Sequence, residues 1–202
     1  MKKSPVLKTV VFLSVAAAGI FAWLKFLDSI APEVDDGEAK GEFDPDLPRA
    51  RPGDILLFNR AKGTNRLVSW FTDSKYYHVG ISLGENHVVE ARLRGVVIRD
   101  LLGPDGDKRF EIIPFENVGG QEAALAARDW ALTQLGDGYD VLDAFTIVLD
   151  KIFGRTTFNF TLPGYWTCGE FVATAFEKSG HDLFPGLPAN SIVPADFSRF
   201  LP

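Results

Sequence analysis

The chain has 202 residues, enough for one domain and a short appendage, and its 46% hydrophobic content with 17 Phe excludes disorder for the bulk of it. A formal net charge of -6 offers no phosphate-neutralising surface, which argues against nucleic acid as a partner. Cys168 is the single cysteine, so an intrachain disulfide and a multi-cysteine zinc site are both ruled out.

Residues 1–27 carry four lysines and no acid around an apolar run from Thr9 to Leu24. That run is slightly short of the roughly 20 residues that cross hydrocarbon. Counted from Pro5 to Leu27, with Lys8 and Lys25 snorkelling to the interfaces, it is long enough for the transmembrane helix expected here. A cleaved signal peptide is the rival reading, but bulky Phe21, Trp23 and Phe26 follow the alanine run where small residues are expected. Positive charge ahead of the span keeps the N-terminus inside and sets the domain on the extracytoplasmic side of the membrane. Residues 28–50 hold eight acids against Lys40 and Arg49 and are punctuated by Pro and Gly, so they read as an acidic flexible linker.

From Arg51 to residue 202 the pattern is that of a folded domain. Gly53–Asn59 is a short apolar run that predicts a strand, and Thr64–Ser74 has helix-like spacing at Leu67, Val68, Trp70 and Phe71. Tyr76–Leu83 and His87–Leu93 flank Gly84-Glu85-Asn86 and predict a hairpin. Gly95–Asp100 and Phe110–Phe115 add two strands, and helices are predicted over Gln121–Leu135, Val141–Phe153, Tyr165–Ser179 and, briefly, Pro194–Phe200. Strands followed by helices argue an α+β fold, with a small antiparallel sheet packed against helices.

The neighbours of Cys168 set it apart from an ordinary buried thiol. In Trp166-Thr167-Cys168-Gly169-Glu170-Phe171-Val172, Thr167 followed three residues later by Glu170 is a capping-box signature ahead of an apolar stripe. Cys168 then occupies the first helical turn, where unpaired N–H groups and the positive dipole end favour a thiolate. The same amides suit an oxyanion forming on an acyl substrate, and Gly169 is expected to leave room beside the sulfur for it.

A thiol nucleophile needs a base, and three histidines are available. His78 lies inside an apolar strand, His87 follows a turn and faces solvent, and His181 follows Ser179-Gly180 at a helix end. Glu90, a carboxylate among apolar residues in Val88-Val89-Glu90-Ala91, is the candidate that orients the imidazole. A three-residue loop at Leu83–Glu85, or a five-residue loop at Ser82–Asn86, places His78 directly opposite Glu90 on one face. A two-residue turn breaks that opposition. Trp70, Phe71 and Trp166 read as core, with the lining of a substrate groove as the alternative.

In chain order, Arg51-Pro52-Gly53-Asp54-Ile55, Tyr77-His78-Val79-Gly80-Ile81, Val89-Glu90-Ala91, Gly138-Tyr139-Asp140 and Cys168-Gly169-Glu170-Phe171-Val172 resemble one family. It is the circularly permuted papain-like cysteine hydrolases of the NlpC superfamily, the YiiX/YebB-like branch, related to lecithin:retinol acyltransferases. The resemblance covers roughly residues 48–200 and includes the permuted order, with histidine ahead of cysteine. It implies a sheet bearing His78 and Glu90 that faces Cys168 at a helix start. Some relatives have histidine at the position of Glu90, and many have Ser where this chain has Gly169. Gly138-Tyr139-Asp140 fits the pattern, but a turn with a packed Tyr is its plainer account.

The expected chemistry is attack of Cys168 on an amide or ester carbonyl, with His78 passing the proton and Glu90 orienting the ring, and it requires no metal or organic cofactor. Zinc is disfavoured by the wide separation of the histidines. Cell-wall peptides and lipid acyl groups are the two substrate classes open to an extracytoplasmic site of this kind. A catalytically silent binding module on a membrane stalk is the rival from another class.

Overall fold

The computed structural model describes residues 50–59, 74–103, 109–140 and 163–202. The predicted anchor, nearly all of the linker, the helix over 64–74 except Ser74, the helix over 141–153, and the Trp70–Phe71 pair lie outside those residues. Among the described residues, no helix is long and apolar enough to cross a membrane.

Five strands form one antiparallel sheet: β1 Ile55–Phe58, β2 His78–Gly84, β3 His87–Arg92, β4 Gly95–Asp100 and β5 Phe110–Ile113, in the spatial order β4-β3-β2-β1-β5. Among the described residues two α-helices pack on it, α1 Gly120–Thr133 and α2 Cys168–Lys178. Between them in sequence, β6 Gly138–Tyr139 pairs in parallel with β7 Tyr165–Trp166. Short 3-10 helices at Phe115–Asn117, Ala189–Ser191 and Pro194–Phe200 complete the described fold. The α+β class expected from the element order is what the chain forms.

Strand alternation divides the apolar residues between two layers. Ile55, Leu57, Val79, Ile81, Val89, Ala91 and Ile113 point at the helices and build the main core with Phe171, Val172, Phe176 and Phe197. Leu56, Phe58, Tyr77, Val88 and Leu101 form a second cluster on the other face. Central β1 is buried on both faces, which accounts for its unbroken Ile-Leu-Leu-Phe run. Each of those side chains contributes about 1.5–3 kcal/mol by leaving water.

Just ahead of β1, Asp54 is buried and accepts from the backbone N–H of Arg51 at 2.8 Å and of Phe115 at 2.9 Å. Arg51 lies over the Phe115 ring and reaches Glu116, so the Arg51-Pro52-Gly53-Asp54 segment ties the start of β1 to the chain leaving β5. Its role is structural.

Two expectations need correction. The β2–β3 connection is a two-residue turn, Glu85 and Asn86, both with positive φ (47° and 65°), as a tight hairpin turn demands. A bulge between Ser82 and Gly84 then sets the register to Ile81↔Val89 and Ser82↔Val88. This register sets Gly80, not His78, across from Glu90. Secondly, the helix predicted from Tyr165 begins at Cys168, because Tyr165 and Trp166 are drawn into pairing with Gly138 and Tyr139.

Candidate active site

The start of α2 is built as the local sequence requires. Thr167 Oγ1 accepts from the Glu170 N–H at 3.3 Å, and Glu170 Oε2 accepts from the Thr167 N–H at 3.4 Å. The Phe171 N–H is taken by the Thr167 carbonyl. Cys168 and Gly169 are therefore the first-turn residues whose amides have no intrahelical acceptor. From Cys168 to Phe176 every residue of α2 is buried, more than the single apolar stripe expected, because the sheet, α1 and the Ala189–Ser191 turn enclose the helix on several sides.

The segment leading into this helix is braced from outside. Gly138 and Tyr139 pair with Tyr165 and Trp166, and the Asp140 N–H donates to the Trp166 carbonyl at 3.1 Å. Trp166 donates from its indole to Asp137 at 2.9 Å and packs edge-on against Trp130, the core role expected of it. Gly138-Tyr139-Asp140 thus holds the residues that aim Cys168.

Gly169 does not leave room for a substrate. A Cβ there would lie 2.0 Å from the Ile192 carbonyl oxygen and 2.8 Å from its carbon. The space beside the helix start is filled by the chain's own backbone, and close approach is what requires glycine.

On the sheet, His78 and Glu90 come together although they are not directly opposed. His78 Nε2 donates to Glu90 Oε2 at 2.9 Å. The displaced register moves the partners by two positions, which keeps both on one face because strand side chains alternate with period two. The carboxylate reaches diagonally past Gly80, where a Cβ would stand 3.1 Å from the Glu90 Cβ and 2.7 Å from a Val88 methyl. Glu90 is fully buried and the His78 side chain is 12% exposed. The Phe58 ring lies 5.4 Å from the imidazole, centroid to centroid.

Burial by itself pushes the His78 imidazolium down. The Glu90 charge, then the hydrogen bond and charge of Cys168, and the Glu90 hydrogen bond outweigh it and raise His78 from 6.5 to about 9. Burial works upward on Glu90, but the charge and hydrogen bond of His78, followed by those of Arg99, hold its carboxyl well below the usual carboxylate range. Cys168 itself is buried but not sealed, at 7% exposure. Of the three residues singled out from the sequence, His78 and Glu90 are in direct contact, and Cys168 bears on the same ring through its hydrogen bond and charge. His87 is exposed, with Nδ1 against the Glu85 carbonyl, and His181 is exposed beside Gly119, both away from this cluster.

Two arginines also meet Glu90, and no local motif announced them. Arg99 on β4 places Nε 2.6 Å from Oε1 and Nη2 2.9 Å from Oε2, and Arg92 places Nη1 3.2 Å from Oε1. Alternation along β4 sets Arg99 on the face of Val88 and Glu90, the one signal that could have found it.

Among the described residues no group of His, Cys, Asp and Glu is arranged to hold a metal ion. No protein-family model matches the chain, and no curated protein matches it.

Proposed function

We propose that this chain is a cysteine hydrolase acting by acyl transfer, of the circularly permuted papain-like class of the NlpC superfamily, with Cys168, His78 and Glu90 as its triad. The observation that carries the reading is the buried His78–Glu90 pair at 2.9 Å with Cys168 interacting with the same ring. A buried imidazole–carboxylate pair whose ring also feels the chain's single thiol supports a triad drawn from β2, β3 and α2.

The Cys168 sulfur attacks the carbonyl carbon of an amide or ester while its proton resides on His78. Nε2 is committed to Glu90, which leaves Nδ1 as the ring nitrogen for the sulfur. The tetrahedral oxyanion is received by the Cys168 amide at the start of α2. The bond to the amine or alcohol breaks as His78 returns the proton to it, and a thioester remains on Cys168. Water, giving its proton to His78, hydrolyses that thioester to a carboxylic acid and the free thiol. Glu90 stays ionised and orients the imidazolium throughout.

The apolar N-terminal segment supports a membrane-tethered enzyme with its domain on the extracytoplasmic side, where peptides of the cell wall are the substrate class we favour and lipid acyl groups the alternative. Incubation of the purified chain with muropeptides and with phospholipids, read by mass, separates the two. One observation favours a second reading, a catalytically silent binding module, and it is the low exposure of Cys168. A thiol-directed acyl probe decides between enzyme and module: it labels the native chain and not a folded Cys168→Ala variant. Equal labelling of the variant, or none of the native chain, ends the proposal.

A further inference from the structure

Glu90 has three rotatable side-chain bonds, and a carboxylate at the end of them turns freely unless both oxygens are held. His78 holds only Oε2. Arg92, 38% exposed, makes one bond to Oε1 at 3.2 Å. Arg99 holds both oxygens, at 2.6 and 2.9 Å, through two nitrogens of one planar fork.

Arg99 is itself well fixed. It stands opposite Val88 in the β3–β4 ladder, and its side chain is 9% exposed. Its guanidinium carbon lies 5.0 Å from the centroid of the Phe58 ring, the ring that also packs beside His78. Among the described residues, the charged groups on Glu90 are His78 from β2, Arg92 from β3 and Arg99 from β4, and Cys168 from α2 acts on His78 in turn.

We propose that Arg99 is a positioning residue of this site: its guanidinium fork sets the place and plane in which the Glu90 carboxylate meets the His78 ring. The assignment rests on the triad reading above and adds the group that orients its carboxylate. An arginine that served only to neutralise a buried acid would be replaceable by any cation at the same spot. A fork is not, because the ammonium of lysine is a point charge that cannot hold both oxygens in one plane.

Arg99→Gln and Arg99→Lys, made in the full chain, test this by two readouts that need no knowledge of the substrate. One is the NMR titration of the His78 ring, and the other is the rate at which iodoacetamide modifies Cys168 as pH is varied. In Arg99→Gln the lost cation raises the His78 midpoint while the freed Glu90 carboxylate lowers it, so the positioning role is read from Arg99→Lys, which keeps the charge. Modification at neutral pH slows by roughly tenfold, the lower end of the loss seen when the partner that orients a metal-bound histidine is removed. Arg99→Lys, which keeps the charge and loses the fork, lowers the His78 midpoint below its native value and slows modification, with native circular dichroism. If Arg99→Gln does not fold, the lysine variant decides by the same measurements. A folded Arg99→Lys variant with the native His78 midpoint and the native modification rate overturns the proposal. Failure of the triad reading shows separately, as a native chain that the acyl probe does not label while Arg99 variants still move the His78 midpoint.

Discussion

Replacing Glu90 by Gln removes one negative charge at nearly constant volume and leaves His78 and Arg99 as buried cations without their counter-charge. The rise of His78 from 6.5 to about 9 corresponds to about 3 kcal/mol of stability where the ring is protonated in both states. Part of that comes from Cys168, which the substitution leaves in place. Against this, removing one partner of a buried ion pair costs about 3–5 kcal/mol, because the remaining charge is stranded. The expected loss is therefore about 3 kcal/mol at neutral pH. Its pH dependence has a definite sign. A raised histidine stabilises fully below its ordinary 6.5, and that contribution disappears as pH climbs through about 9. A lowered carboxylate stabilises above its ordinary 4.5, and that contribution is lost as pH falls towards its folded-state value. The gap between native chain and variant is thus widest between these limits and narrows on both sides. Urea unfolding followed by tryptophan fluorescence at a series of pH values measures it. A variant within about 1 kcal/mol of native at neutral pH, or a gap that does not shrink in alkali, refutes the reasoning.

Thr167→Ala removes half of the capping box and is expected to cost about 1 kcal/mol, with slower alkylation of Cys168 as the first turn frays; an unchanged urea midpoint contradicts it. Gly169→Ala drives a methyl group into the Ile192 carbonyl and should cost about 2 kcal/mol or more, a fall in Tm of roughly 5 °C for a domain of this size. A Tm within about 1 °C of native would show that the 192–193 backbone yields freely. Gly80→Ala presses on Val88 and on the Glu90 Cβ, so it should cost about 1–3 kcal/mol and lower the NMR midpoint of His78; a native midpoint would mean that Glu90 does not need that gap.

What could be read from the sequence was local or periodic. The capping box spans three residues, so Thr167 and Glu170 announced the helix start at Cys168 before any packing was known. Period-two alternation put His78 and Glu90 on one face whatever the even register shift, which is why the pair survived an incorrect loop. The loop itself was decided elsewhere: Glu85 and Asn86 adopt left-handed conformations that neither residue type demands, and the bulge at Ser82/Gly84 absorbs the mismatch. The clamp by Arg99 depended on β4 lying beside β3, and the need for glycine at 169 came from a carbonyl more than twenty residues away. Tyr165 and Trp166 gave up helix for strand because Gly138 and Tyr139 offered hydrogen bonds there. Short-range order follows from backbone and capping energetics that each segment carries with it, whereas contacts between distant segments exist only once the whole core has closed around them.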